Sequence, residues 1–168
     1  MILLGGGHAN IEVLRFLRMN PIKNVRITLI STDSNAAYSG MIPGVIAGHY
    51  TSEEATIDLR MLAQKCGARF LNDTVTNVNI TGNFVECLLR GKIQFDYLSI
   101  NTGSQTPTIK SDGSLEPISV KPINNFIKKI NKISTKIISS PKELQIGILG
   151  GGAAGVETAT ALNFRVFQ

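Results

Sequence analysis

The chain has no tryptophan, only two cysteines and few aromatic residues, 6% of its 168 positions. Each scarcity excludes something. Cys66 and Cys87 stand far apart, in neither a CxxC redox pair nor a metal-ligand cluster, so they read as small apolar side chains in or near a core. No metal site is expected. The lysine-rich stretch from Lys121 to Lys142 lacks the interleaved aromatics of a single-strand binder and matches no nucleic-acid motif, which argues against a nucleic-acid partner. No apolar run reaches the length of a transmembrane helix. The opening Met1-Ile2-Leu3-Leu4 runs straight into glycines, so it lacks the charged start and long apolar stretch of a signal peptide. A cytoplasmic location is the default.

What is present is ordinary for a globular protein: 43% hydrophobic residues, 17% charged and a formal net charge of +5. The length suits one domain with a substantial core. Sixteen glycines are informative because they cluster, as Gly5-Gly6-Gly7 near the start and Gly150-Gly151-Gly152 near the end. Residues 1–4 read as a short strand entering the first cluster. His8 to Met19 has helical periodicity, with Ile11, Leu14 and Leu17 on one face and Glu12, Arg15 and Arg18 on another. Asn20-Pro21 stops that helix, and Val25 to Ile30 is a β-rich strand that closes a βαβ unit. Ser31 to Gly48 reads as a long loop, and Thr56 to Lys65 as a short helix. Short strands are expected at Arg69 to Leu71, Val75 to Ile80, Phe84 to Leu89 and Ile93 to Asn101. Ser104 to Pro122 is a polar connector. Asn124 to Ile138 is an amphipathic helix with Phe126, Ile130, Ile133 and Ile137 on one stripe. Its lysines form a solvated face that also suits peripheral contact with an anionic membrane. Leu144 to Leu149 reads as a strand, and Val156 to Leu162 as the start of a helix.

Strand, glycine turn and helix in that order are what a dinucleotide-binding fold requires. Gly150, Gly152 and Gly155 satisfy G-x-G-x-x-G: the first for a tight turn, the second for close approach of backbone to pyrophosphate, the third for helix–strand packing. The helix start then offers N–H groups and a positive dipole end to phosphate. The first loop keeps Gly5 and Gly7 but has Asn10 at the third position. A bulkier residue there predicts a helix set farther from the strand, or a side chain turned aside. The acidic ribose partner expected about 20 residues on is represented by Ser31 at the strand end or by Asp33, which reads equally well as a surface turn residue.

With both loops placed, the chain resembles the flavoproteins built from two dinucleotide-binding domains, the class of type II NADH dehydrogenases and pyridine nucleotide-disulfide reductases. The resemblance rests on Gly5-Gly6-Gly7-His8-Ala9, on Phe95 to Ser104 with its Asn101-Thr102-Gly103, on Gly150 to Gly155, and on their order. The redox cysteine pair of the disulfide reductases would fall soon after the second strand, where Tyr38 to Gly44 stands instead. That loop and Ile46 to Tyr50 look like the NADH dehydrogenase-like branch. Gly5 to His8, Tyr38 to Gly44, Ala47 to Tyr50, Ile57 to Arg60 and Val120 to Pro122 resemble in particular the flavoprotein module fused ahead of selenide, water dikinase.

The resemblance implies an α/β fold: a Rossmann-like FAD-binding domain over residues 1–122, with a parallel sheet and a small antiparallel β meander. It implies a linking helix and the first βα unit of a second, NAD(P)H-binding domain over 123–168. Little chain follows Gly155 and the return segment of the FAD domain is not seen, so the chain reads as C-terminally truncated. Gly5 and Gly7, with His8 and Ala9 beside them, would take the FAD pyrophosphate, and Ser31 or Asp33 the adenosine ribose. Thr102 and Gly103 would pack near FAD, and Met41 and Pro43 near its flavin ring. Gly150, Gly152 and Gly155 would serve NAD(P)H, with Glu157 a neighbour.

The implied activity is transfer of electrons from NAD(P)H through FAD to a small-molecule or quinone-like acceptor that the residues do not identify. The alternative is a non-catalytic nucleotide-binding remnant. A single-loop NAD-dependent dehydrogenase is disfavoured by the two loops. No catalytic acid, base or nucleophile is singled out, because hydride transfer needs orientation and dryness more than proton chemistry. His8 stands in the helix's first turn, where lining the site and simple packing are both open, and His49 has no identifiable partner.

Overall fold

The computed structural model describes the whole chain except residues 108, 110, 111, 113–116, 141–144 and 168, and the side chains of 134 and 137–139. In chain order the elements are β1 (Ile2–Leu4), α1 (His8–Met19), β2 (Thr28–Ser31), β3 (Asn35–Ala37), a 3₁₀ turn (Ser39–Met41), α2 (Ile42–Ala47), β4 (Thr56–Asp58), α3 (Leu59–Lys65), β5 (Arg69–Asn72), β6 (Val75–Asn79), β7 (Phe84–Cys87), β8 (Gly91–Gln94), β9 (Leu98–Ile100), α4 (Ile123–Ser139) and α5 (Ala153–Val166). They gather into two compact units. One comprises Met1–Ala36 and Ile57–Gly103, the other Ala37–Thr56 and Ser104–Gln168.

The first unit is a four-stranded parallel sheet in the order β5-β2-β1-β9. Pleating sends alternate residues to opposite faces. Leu3 and Leu29 face a cluster with Ile11 and Leu14 of α1 and Leu59 and Ala63 of α3. Ile2, Leu4, Ile30 and Leu71 face the other way, onto Val85 and Cys87. That second face is covered by the antiparallel meander β6-β7-β8. Burial on both faces is why β1 reads as an unbroken apolar run. Strand order reverses at β1, flanked by β2 and β9, so the crevice at the carboxyl ends of β1 and β9 is the switch point where such sheets bind ligands.

The second unit is helical. Ile42, Val45 and Ile46 of α2, Phe126, Ile127 and Ile130 of α4, and Ala161 and Leu162 of α5 share one core. The apolar stripe of α4 is therefore spent on protein packing, with Ile133 half-buried. The Ile137 side chain, Lys142 and Leu144 lie outside the described residues. Among the described residues no helix is long and apolar enough to cross a membrane.

The α/β architecture, parallel sheet and meander agree with the sequence reading; four local expectations do not. The loop expected over Ser31 to Gly48 contains β3 and α2. Pro43 is tolerated there because it lies in the first turn of α2, where a missing N–H costs nothing, and Gly48 ends the helix at φ +85°. The helix expected from Thr56 begins at Leu59, since Asp58 caps it: its Oδ1 accepts the Met61 N–H at 2.9 Å. Ile93 to Asn101 is two strands, β8 in the meander and β9 in the parallel sheet. Residues 145–149 join no sheet and are exposed. A lone apolar segment without a neighbouring strand has no ladder to complete.

Candidate functional site

Gly5 follows β1 directly, in the left-handed region at φ +90°, which an L side chain rarely adopts. Its N–H donates to the Ile30 carbonyl at 2.8 Å. A Cβ at Gly5 would run into the Asn101 carbonyl oxygen. Gly7 is the N-cap of α1, extended at φ −71° and ψ 164°, with no side-chain cap of its own and no acidic residue in the first turn. A Cβ there would strike Asn101 Oδ1. Gly5 and Gly7 are thus demanded by the protein's own close approach of the β1 turn to the end of β9. A helix start with no acidic residue in its first turn, at the switch point, fits a dinucleotide pyrophosphate. His8 and Ala9 open α1 and are exposed.

Two asparagines organise this turn. Asn101, just beyond β9, accepts the Gly7 N–H on its carbonyl at 3.1 Å and the Ala9 N–H on Oδ1 at 3.1 Å, and donates its own N–H to the Leu4 carbonyl at 2.8 Å. It supplies from another strand the side-chain cap that Gly7 lacks. Asn10 is fully buried. Its side chain is not turned aside: the buried amide is hydrogen-bonded through both its nitrogen and its oxygen. Sequence reading passed over the Asn101 side chain, although it stands first in the Asn101-Thr102-Gly103 motif. Thr102 and Gly103 follow as exposed backbone, Gly103 at φ +83°.

Ser31 ends β2, one strand from β1, and its carbonyl accepts Asn72 Nδ2 at 3.0 Å and the Asp73 N–H at 3.1 Å. Asp33 lies two residues on and is exposed. Near them a small cavity of about 150 Å³ is lined by Thr32, Asn72, Asp73, Thr74, Leu88 and Leu89. The buried Asp73 carboxylate accepts from the Thr74 and Leu89 amides at 2.8 and 3.1 Å and from Arg90 Nη1 at 2.8 Å. Burial alone would raise its pKa, but Arg90 and the two amides outweigh that and hold the carboxyl below the ordinary range. Asp73 is engaged in fastening the β7–β8 turn to the end of β5.

The second loop has the same backbone plan. Gly150 is left-handed at φ +106°, and Gly152 is an extended N-cap of α5 at φ −73° and ψ 174°. A Cβ at Gly155 would collide with the Gly150 carbonyl oxygen, so this third glycine packs on the turn itself rather than on a strand. Gly152 has an unstrained φ, and a Cβ there would meet nothing within 4 Å. Neither strain nor packing among the described residues demands glycine at that position. Again no acidic residue stands in the first turn, and Glu157 is exposed farther along α5. Met41 and Pro43 are half-buried beside and within α2, Met41 against the helical core. His49 packs on Phe164, ring centroids 4.8 Å apart. Among the described residues no group of acidic, histidine or cysteine side chains is arranged to hold a metal.

The sequence matches the family model for pyridine nucleotide-disulphide oxidoreductase over residues 1–165. Sulfide-quinone reductase of Aquifex aeolicus (strain VF5) is 29% identical over 103 residues, 61% of this chain and 24% of that protein. NADH:rubredoxin oxidoreductase from Clostridium acetobutylicum superposes with a TM-score of 0.76 at 20% identity, covering 98% of this chain and 41% of the other. NDH2 from Plasmodium falciparum, solved with NADH, gives 0.68 at 23% identity, covering 95% and 36%. The two structures speak for the fold. The chain spans about a quarter of its curated relative's length and about two-fifths of these structures'.

Proposed function

Since the chain belongs to the pyridine nucleotide-disulphide oxidoreductase family, we propose that it is a flavoprotein module passing electrons from NAD(P)H through FAD to a small-molecule, quinone-like acceptor. FAD and NAD(P)H are the cofactors of such a chain. Residues 1–122 form the FAD-binding domain in this reading, and 123–168 the beginning of the NAD(P)H-binding one. The kinship with the module fused to selenide, water dikinase is part of the same proposal, resting on the Tyr38 to Gly44 and Ile57 to Arg60 segments.

The observation that carries the reading is the duplication of one backbone device. Both loops place a left-handed glycine first and an extended glycine N-cap two residues later, and each opens a helix with no acidic residue in its first turn. Gly5 and Gly7, with His8 and Ala9, would lie against the FAD pyrophosphate, whose negative charge the α1 dipole would favour. Ser31 or Asp33 would take the adenosine ribose, with Thr102 and Gly103 against the cofactor. Gly150, Gly152 and Gly155 would hold NAD(P)H. Hydride transfer is the chemistry the cofactors supply when bound. The chain's share is to fix phosphates and exclude water, so no proton-transfer residue is assigned. No cysteine stands in Tyr38 to Gly44, which sets a disulfide acceptor there aside.

The test is spectroscopic. Purified protein is titrated with FAD and then, without oxygen, with NADH and NADPH. Flavin bands that perturb on binding and bleach on reduction are expected. Bound flavin that does not bleach would favour a non-catalytic nucleotide-binding protein, and failure to bind FAD would sink the reading.

A further inference from the structure

We propose that Asn10, which breaks the glycine pattern of the first loop, is the positioning residue that sets that loop, so restoring glycine there weakens the site. The proposal rests on the reading that the first loop holds the FAD pyrophosphate. Asn10 has 0% exposure. Its Nδ2 donates to the Leu4 carbonyl at 3.0 Å and to the Gly5 carbonyl at 2.8 Å. Its Oδ1 accepts the Ser99 hydroxyl at 2.7 Å. Both amide protons and the amide oxygen are therefore used, which is what a buried polar side chain requires.

The second loop supplies the comparison within the same chain. There the third position is Gly155, lying directly against the Gly150 carbonyl. At the first loop the equivalent carbonyl, that of Gly5, is met by Asn10 Nδ2. One loop packs its third position on the turn; the other hydrogen-bonds it. The bonded version also reaches farther. Ser99 pairs with Leu3 in the sheet register, and Asn101 stands two residues on. Side chains two apart on a strand share a face. Ser99 holds Asn10 while Asn101 holds the Ala9 N–H, so β9 grips the first turn of α1 at two successive points. In the proposed site the pyrophosphate lies against the Gly5 turn and the α1 N-terminus, so Asn10 acts on the ligand through their geometry.

The experiment uses the full chain, with FAD affinity measured well below the unfolding temperature so that every variant compared is folded. Asn10→Gly completes the textual motif, yet it strands the Gly5 carbonyl and the Ser99 hydroxyl. Its FAD affinity is expected to fall about tenfold or more, the scale of leaving buried polar groups unpaired. Ser99→Ala should lose several-fold, and Ser99→Thr, which keeps the hydroxyl, should restore the parent value. Binding by Asn10→Gly as tight as the parent's overturns the proposal. So does a Ser99→Thr that behaves like Ser99→Ala, and this pair decides the matter if Asn10→Gly does not fold. If the parent itself binds no FAD, the cofactor reading fails separately. The strut is then tested by thermal unfolding of the apo-protein, where Ser99→Ala should cost little once Asn10 is glycine, and additive losses would overturn it.

Discussion

Gly5→Ala gives the most direct measure of how closely the first loop approaches β9. Gly67 provides the reference. It is also left-handed, at φ +67°, but a Cβ there would meet nothing within 4 Å. Gly67→Ala should therefore cost only the dihedral penalty, about 1–2 kcal/mol. Gly5→Ala carries that penalty and a collision with the Asn101 carbonyl, with Thr102 Cα only 2.7 Å from the new Cβ. Backbone cannot rotate aside as a side chain does. Relief requires the end of β9 to move away, giving up the Asn101 N–H to Leu4 and Gly7 N–H to Asn101 hydrogen bonds. Two such bonds at roughly 1 kcal/mol each bring the expected total to about 3–4 kcal/mol. Urea unfolding followed by far-ultraviolet circular dichroism should show the midpoint falling with an unchanged slope, and falling clearly more for Gly5→Ala than for Gly67→Ala. Equal losses would refute the close approach and the reason given for Gly5.

Three further outcomes follow from the same packing. The Asp73 carboxyl is held below its ordinary value of 3.8, so its ionised form contributes stability that is present above that value and lost as pH falls through the depressed one. Asp73→Asn should lower the urea midpoint at pH 7 and flatten the acid limb of a midpoint-against-pH series; an unchanged limb would contradict this. Asp58→Ala removes the cap of α3 and should cost about 1 kcal/mol in the same assay. Burial, with the Asp73 charge adding and Arg90 opposing, pushes the Cys87 thiol up, whereas Cys66 is half-buried. An aromatic disulfide reagent at pH 8 should therefore modify one thiol in folded protein and the second only after denaturant, whereas two equally fast thiols would count against the burial of Cys87.

Much of the fold was legible because its signals are local. The α1 face of Ile11, Leu14 and Leu17, the glycine turn before it and the apolar run of β1 each declare themselves within a few residues, and all lie where the periodicity puts them. The misreadings arose where a residue's usual meaning was reversed by position. Pro43 and Gly44 argue for a loop anywhere except where Pro opens a helix and Gly is needed beside an aromatic ring, as Gly44 is beside Tyr50. Residues 93–101 look continuous because both sheets they join want alternating or apolar residues; nothing local marks the change of partner at Phe95 to Tyr97.

The candidate site divides the same way. The glycines were legible because left-handed backbone and close approach leave few alternatives, and the conformations at Gly5 and Gly150 bear that out. Asn10 was legible only as an exception to the pattern, since its partners are the Leu4 and Gly5 carbonyls beside it and Ser99 far along the chain, and the last pairing cannot be read from spacing. Asn101 was hidden for the same reason. Its side-chain partner Ala9 is 92 positions away, brought near by the pairing of β9 with β1. A glycine pattern records where a backbone must be bare; which polar side chains then hold that bare turn in place is decided by the sheet order. Position 10 therefore answers to the sheet as well as to the loop, which is why a departure from the motif there is compatible with a well-formed turn.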